Sequence, residues 1–353
     1  MTANPDLVRN LHLQAKACEK LGSPFNSALL TAAAHDLEAG GPVADLLAGW
    51  STADLKKAFD DAVALRLVGG LHDLVLEGAA PALAAAYPSA ERAGDPVAAW
   101  TAARAAMVEH RDRLADFLGH EPQTNEVRRA ICLAPGFLTI ARETGLPIRA
   151  FEIAASAGLN LNWDRFHYDF GEAQWGDAAA SVRLDTDWTG PKPPVDAQVQ
   201  VIERAACDRR PIALSDPAER RRLLAYVWPD QIERLERIRA AIALALELKV
   251  EVETADAVAW TSARAAPRVG AVTCLYHSVF WQYMPPESQA ALTRTLQALG
   301  ARATAQAPFA WLRMEPSPEN LTIMEVRLTL WPGGETRILA EVHPHGASVA
   351  WKE

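Results

Sequence analysis

The segment FEIAASAGLNL (151–161) sets an acid near the end of an apolar run and follows it with small side chains. The run IRAFEI (148–153) predicts a short strand. In an open α/β sheet, ligands collect beyond the carboxyl ends of the strands, so Glu152 stands where it can accept hydrogen bonds from a cationic or amino group. Residues 154–158 carry little side chain, which lets backbone approach a ligand closely. The same segment also reads as a close-packed turn from strand to helix. A second apolar run, AVTCLYHS, delivers Tyr276, His277 and Ser278 to a strand end. His277 exchanges a proton near neutral pH and is the candidate base. Its alternative is a hydrogen-bonded structural histidine among aromatic core residues. Trp281 and Tyr283 follow as candidate walls of a substrate pocket.

Further polar residues sit where regular elements end. VIERAACDRRPI brings Asp208 to the end of a strand, and VEVETADAVAW does the same for Asp256 and Ala257. Asp208 also reads as a turn residue, and Asp256 as the N-cap of a following helix. PFAWLRMEP places Arg313 and Glu315 in an otherwise apolar strand, where charges must pair or face a cleft. In HPHG, His343 and His345 share a side of an extended chain. That spacing permits a metal, but no Cys or His partner has ligand spacing, so no metal is expected. His345 is expected to make a polar contact in the cleft. In EPQTNEVRRA, Gln123, Asn125 and Arg128 are candidate substrate contacts, while Thr124 or Asn125 also suits a helix cap.

The pattern Glu152-x-Ala154-x-Ser156-x-Gly158 resembles the E-x-G-x-G-x-G loop of class I methyltransferases, with Ala154 and Ser156 replacing two glycines. The resemblance implies S-adenosylmethionine as cofactor. It implies that Glu152, Ala154, Ser156, Gly158 and Asn160 hold it, with Asp208 on the ribose and Asp256 and Ala257 at the adenine. Asp169 is the rival for the ribose, because it lies nearer the usual distance from the loop. His277, Glu315 and His345 would stand at the reacting centre. Gln123, Asn125, Arg128, Trp281 and Tyr283 would meet a small-molecule acceptor. The segments PQTNEVRRA, FEIAASAGLNL, YVWPDQIERL, YHSVFWQYM, AWLRMEP and HPHG together resemble a bacterial family of unknown function across nearly the whole chain. That second resemblance implies no activity. A Rossmann-like binding protein without catalysis is the alternative, and the two replaced glycines favour it. A nicotinamide enzyme is disfavoured, since no G-x-G-x-x-G follows the first strand.

The elements that must position these residues divide the chain. Up to about residue 145 helical signals recur. Leu7, Leu11 and Ala15 form a stripe, and Ser51 and Asp54 precede a face of Leu55, Phe59, Ala62 and Val63. One long helix is expected over 96–118 and another over 125–144, ended by Gly145 and Pro147. After Pro147 strands alternate with helices, which argues for a mainly parallel Rossmann-like sheet. Pro332-Gly333-Gly334 joins a terminal antiparallel hairpin. The expectation is an all-helical cap domain, 1–145, and a methyltransferase-type α/β domain, 146–353, with an inserted β meander around 163–200.

Of the 353 residues, 50% are hydrophobic and 22% charged, which allows a large core and excludes a disordered chain. A net charge of −9 argues against a nucleic-acid partner. Four scattered cysteines, with no basic and apolar leader and no apolar stretch of spanning length, point to a cytoplasmic protein without a membrane partner. Oligomeric state is left open.

Overall fold

The computed structural model describes residues 3–353. In chain order the helices are α1 (Pro5–Lys20), α2 (Pro24–Glu38), α3 (Pro42–Leu46), α4 (Leu55–Asp60), α5 (Val63–Glu77), α6 (Pro81–Ala86), α7 (Pro96–Glu109), α8 (Arg111–Leu118), α9 (Ala130–Thr144), α10 (Pro217–Ala225), α11 (Ile232–Glu247), α12 (Ala257–Arg264) and α13 (Pro286–Gly300). The strands are β1 (Ile148–Ile153), β2 (His167–Asp169), β3 (Gln174–Trp175), β4 (Arg183–Asp185), β5 (Asp187–Thr189), β6 (Val201–Asp208), β7 (Glu253–Thr254), β8 (Val272–Ser278), β9 (Phe309–Pro316), β10 (Met324–Trp331), β11 (Glu335–Val342) and β12 (Ser348–Trp351).

The chain divides into two compact units, 1–124 with 215–239, and 125–214 with 240–353. The first division falls at residue 124 rather than 145, because α9 packs on β9 and β10 and so belongs with the sheet. The helical unit also takes back 215–239 from the later sequence. Proline opens α1, α2, α3, α6, α7 and α10 there, at the position where a missing N–H costs nothing. Leu7, Leu11 and Ala15 are all buried, as their stripe predicts, together with Leu29, Leu71 and Met107. Two expected helices break. The helix over 96–118 is interrupted at His110 (φ −111°, ψ 29°), and the face from Leu55 to Val63 is cut by Ala62 at φ 52°. Asp54, not Ser51, caps α4, accepting the Lys57 amide at 2.7 Å.

The second unit is built on a nine-stranded sheet in the order β5-β12-β11-β10-β9-β8-β1-β6-β7. Strands β7, β6, β1, β8 and β9 run parallel, which is the order 3-2-1-4-5 in sequence. The predicted hairpin is β10–β11, antiparallel to β9. Because β11 is antiparallel to β10, it runs with β9, and its turn at 343–346 reaches the carboxyl edge of the sheet. The insertion is a small sheet, β3-β2-β4, in which β2 and β4 are parallel, and β5 leaves it to join β12. The expected meander is therefore only its β2–β3 hairpin.

Alternation along β1 sends Phe151 and Ile153 into a core with Trp260, Leu292 and Leu296, on the side of α12 and α13. Ala150 and Glu152 point the other way, toward α9 and the 3-10 segment Leu159–Arg165. No described helix is long and apolar enough to cross a membrane.

Candidate functional site

The strand order reverses between β1 and β8, and their carboxyl ends make the crevice where open α/β sheets bind ligands. Backbone strain gathers there. Ala154, Ser156 and Gly158 have φ of 55°, 54° and 69°, and Val279, just past β8, has φ of 52°. An L side chain resists that region, and a β-branched one most of all, so such residues persist only where the surroundings enforce them.

Those surroundings come from β6. Asp208 takes the Ser156 amide on Oδ2 (2.8 Å) and the Arg210 amide on Oδ1 (2.9 Å). The Cys207 carbonyl accepts from Ala155, and the Ser156 carbonyl accepts from Ile212. Asn125 Oδ1 accepts the Leu159 amide (2.9 Å), and Asn160 Nδ2 donates to the Glu126 carbonyl (3.1 Å). Gly158 serves close packing: a Cβ there would lie 2.8 Å from methyls of both Val250 and Val252.

Consecutive residues of a strand face opposite ways, so Tyr276 and His277 belong to two clusters. On the α9 side, Tyr276 Oη lies 3.2 Å from Glu152 Oε2 and 3.4 Å from the Asn160 carbonyl. One phenolic proton cannot serve both acceptors. A protonated Glu152 resolves this by donating to Tyr276, which then donates to Asn160. Burial supports that state: desolvation, reinforced by the charge of Asp208 and opposed by the tyrosine bond, pushes the Glu152 pKa up to about 8. Phe137 of α9 packs edge-on against Tyr276 and stacks on Trp163. In the stretch 156–167, Ser156 Oγ, Asn160 Oδ1, both amide atoms of Asn162 and both ring nitrogens of His167 are buried with no partner among the described residues. Buried polar atoms of this kind ordinarily meet water or a ligand.

On the other side, His277 is fully enclosed. Trp311 donates its indole N–H to His277 Nε2 (3.0 Å), and since an indole only donates, that nitrogen must be the acceptor. The ring proton is then on Nδ1, which donates to Glu315 Oε1 at 2.7 Å. Glu315 also accepts the amides of Phe280 (2.9 and 3.1 Å) and Trp281 (3.2 Å). The left-handed turn at Val279 precedes these two amides, and both are aimed at the carboxylate. Trp281 stacks on the imidazole at 5.9 Å, while Tyr283 is 74% exposed.

The structure therefore separates residues that the sequence reading placed in one cleft. Glu152, Asn125 and Asn160 meet at the β1 loop, while His277, Glu315 and Trp281 form a second cluster across the sheet. Both nitrogens of His277 are engaged in hydrogen bonds within the chain. Asp256 caps α12, accepting from Val258 and Ala259, and Ala257 is buried in the α12–α13 core. Asp169, the rival acid, is spent in its hairpin on Gly171 and Gln174. The residue that caps the 3-10 turn at Val127–Arg129 is Glu126, not Thr124 or Asn125. Arg128 binds Asp185, and Arg129 donates to the Pro344 carbonyl beside His345. Gly346 is required there, since a Cβ would lie 2.5 Å from the Arg128 carbonyl. His343 Nδ1 accepts the His345 amide (3.1 Å), and among the described residues no cluster of His, Cys, Asp or Glu is placed to hold a metal. Gln123 falls in the helical unit. Sequence reasoning missed Trp311 as the partner of His277 and Asn162 and His167 as buried polar groups; strand alternation at 276–277 carried the signal that separates the two clusters.

Over residues 8–351 the chain matches the model of the family described as uncharacterized protein conserved in bacteria (DUF2332). It belongs to that family. No curated protein and no solved structure matches the DUF2332 chain. The helical unit of this DUF2332 protein carries an open groove of 760 Å³ between the Pro88–Gly94 loop and the start of α2. Its Asp230 is already bonded to Ser23 Oγ (2.6 Å) and the Phe25 amide (3.0 Å), so the strained sheet edge is the better candidate for chemistry.

Proposed function

We propose that the β1 loop is an adenosyl-cofactor site of the methyltransferase type, with S-adenosylmethionine as the cofactor and a small molecule as acceptor. The observation that carries the reading is the backbone: the three positions that are glycine in E-x-G-x-G-x-G all take left-handed φ here, although two of them are Ala154 and Ser156. The orphaned Ser156 hydroxyl fits a polar ligand at that loop. Ser156 Oγ, the remaining lone pairs of Asp208, and Asp256 would hold the cofactor, with the small side chains at 154–158 allowing close approach. When bound, the sulfonium supplies an activated methyl group, and the protein's part is alignment and exclusion of water. Glu152, protonated and bonded to Tyr276, supplies a buried proton at the edge of the loop.

A second reading, a binding protein without catalysis, is favoured by the internal saturation of His277 and Glu315 and by the loop amides of Ala155, Ser156, Gly158 and Leu159, all spent within the chain. Calorimetric titration with S-adenosylhomocysteine tests the first. Saturable binding that is lost in Asp208→Ala is expected. No heat from either adenosyl compound at millimolar concentration would end the reading. Binding without methyl transfer to any member of a broad acceptor set would select the second.

A further inference from the structure

The face of the sheet that carries His277 holds its charges in rows. His277 lies in register with Arg313, and Arg313 with Arg327. Two residues nearer the carboxyl edge, Glu315 lies opposite Glu325; two residues further back, Trp311 lies opposite Thr329. Directly opposed residues share a face, so these side chains are neighbours.

The two arginines and two glutamates on this face balance in formal charge, but they are not all directly paired. Glu315 is satisfied by two amides and His277. Glu325 pairs with Arg327 Nε at 3.6 Å, and Arg327 also donates to the Pro316 carbonyl. Arg313 is left over. It is only 7% exposed, and it donates from Nη1 to Thr329 Oγ1 (3.1 Å) and the Trp311 carbonyl (3.4 Å). Its guanidinium carbon lies 3.7 Å over the Trp311 ring. No carboxylate among the described residues comes within ion-pair distance of it, so Nε and Nη2 keep donors to spare. A buried cation without a direct ion pair is costly, and a flat, stacked guanidinium offers a fork of N–H groups that matches carboxylate and phosphate oxygens. Burial, then the neighbouring Arg327, pull the Arg313 pKa down to about 9, against the opposing pull of Glu315 and Glu325.

We propose that Arg313 and Arg327, with Trp311 as the shelf beneath Arg313, form a binding site for the oxyanion of a small ligand, a carboxylate or a phosphate group. The site lies on the α12–α13 side of the sheet and does not depend on the adenosyl reading of the β1 loop. Glu315 and Glu325 face the same row and offset its formal charge, so a single free anion binds weakly, in roughly the millimolar range.

The test is thermal denaturation of the full chain at fixed ionic strength, with chloride replaced stepwise by inorganic phosphate in one arm and acetate in the other. A saturable rise in Tm in either arm is expected, because an anion held by the folded state alone stabilises it. Phosphate also stabilises proteins without a site, so the readout is the difference between variants. Arg313→Gln and Arg327→Gln should each weaken apparent binding by about 10- to 100-fold, the loss of charge-assisted hydrogen bonds. Arg337→Gln, whose guanidinium pairs with Glu143, should leave it unchanged. A response to phosphate assigns a phosphate-bearing ligand, and one to acetate a carboxylate. No saturable response to either anion, or an equal response in Arg313→Gln, overturns the proposal. Should Arg313→Gln not fold, the side-chain Nε–H resonance of Arg313 in the wild-type protein decides: it must move with the same anion.

Discussion

Two glutamates sit at the carboxyl edge of the same sheet, one on each face, and they are held in opposite ways. Glu315 has two amides and an imidazole N–H directed at its oxygens. Glu152 has one tyrosine hydroxyl, shared with a carbonyl, and stands near a second acid, Asp208. Burial alone does not decide what a carboxyl group does. The donors around it do: a carboxylate ringed by N–H groups is fixed structure, whereas one with too few donors keeps its proton and can give it up.

The largest effect should come from breaking the well-held member. Glu315→Ala strands two amides and the His277 N–H in a dry interior, and a loss of about 3–5 kcal/mol is expected, as for a broken buried pair. Glu152→Gln keeps a donor toward Tyr276 and should cost far less near neutral pH. Urea unfolding of both variants checks this. Equal losses would erase the contrast between the two faces.

The two glutamates also differ in how far the sequence revealed them. IRAFEI and AVTCLYHS were legible as strands because their apolar runs are bounded by turn signals; Glu152 was legible as a strand-end residue, and Glu315 as a charge inside an apolar strand. That Tyr276 and His277 face opposite ways follows from strand alternation. Their partners do not. Trp311 is fixed beside His277 by the β8–β9 register, and Asp208 beside the Ser156 amide by an insertion that returns β6 to the edge of β1. Such contacts come from the tertiary fold, and no local spacing encodes them. Nor does composition announce a left-handed alanine or serine, since both residues prefer other conformations. Strand β7 shows the opposite limit: VEVETA has strand alternation, yet only Glu253–Thr254 pairs, alongside Cys207 and Asp208 at the end of β6.

The comparison sharpens with pH. The Glu152 pKa is raised from 4.5 to about 8 in the folded state, so between those values the native protein holds a proton that the unfolded chain has released. Stability must therefore fall as pH rises through that window, and level off above it, with a total of several kcal/mol from this group. His72 has the reverse sign. Burial lowers its pKa from 6.5 to about 4, so it costs stability as pH falls through that range. Because the two windows overlap, the informative quantity is the difference between wild type and Glu152→Gln, measured by urea unfolding from pH 5 to pH 9. That difference should slope steadily toward the variant as pH rises. A flat difference would show that Glu152 ionises normally in the fold.

The smallest effects test the strain that lies between the two glutamates. A left-handed L-residue costs roughly 1–2 kcal/mol relative to its preferred conformation. Glycine removes that cost but adds roughly 0.5–1 kcal/mol of unfolded-state freedom. Ala154→Gly and Ser156→Gly should therefore each gain under about 1 kcal/mol, and Ser156→Gly also deletes a buried hydroxyl that has no partner among the described residues. Gly158→Ala should lose stability, both because alanine is strained at a φ of 69° and because its Cβ would press on Val250 and Val252. Thermal denaturation of the three variants reads both signs at once. If the two glycine variants lose stability instead, the side chains at 154 and 156 contribute more than their conformations cost. The loop would then be held by packing rather than poised under strain, and the backbone argument for a ligand there would fail with it.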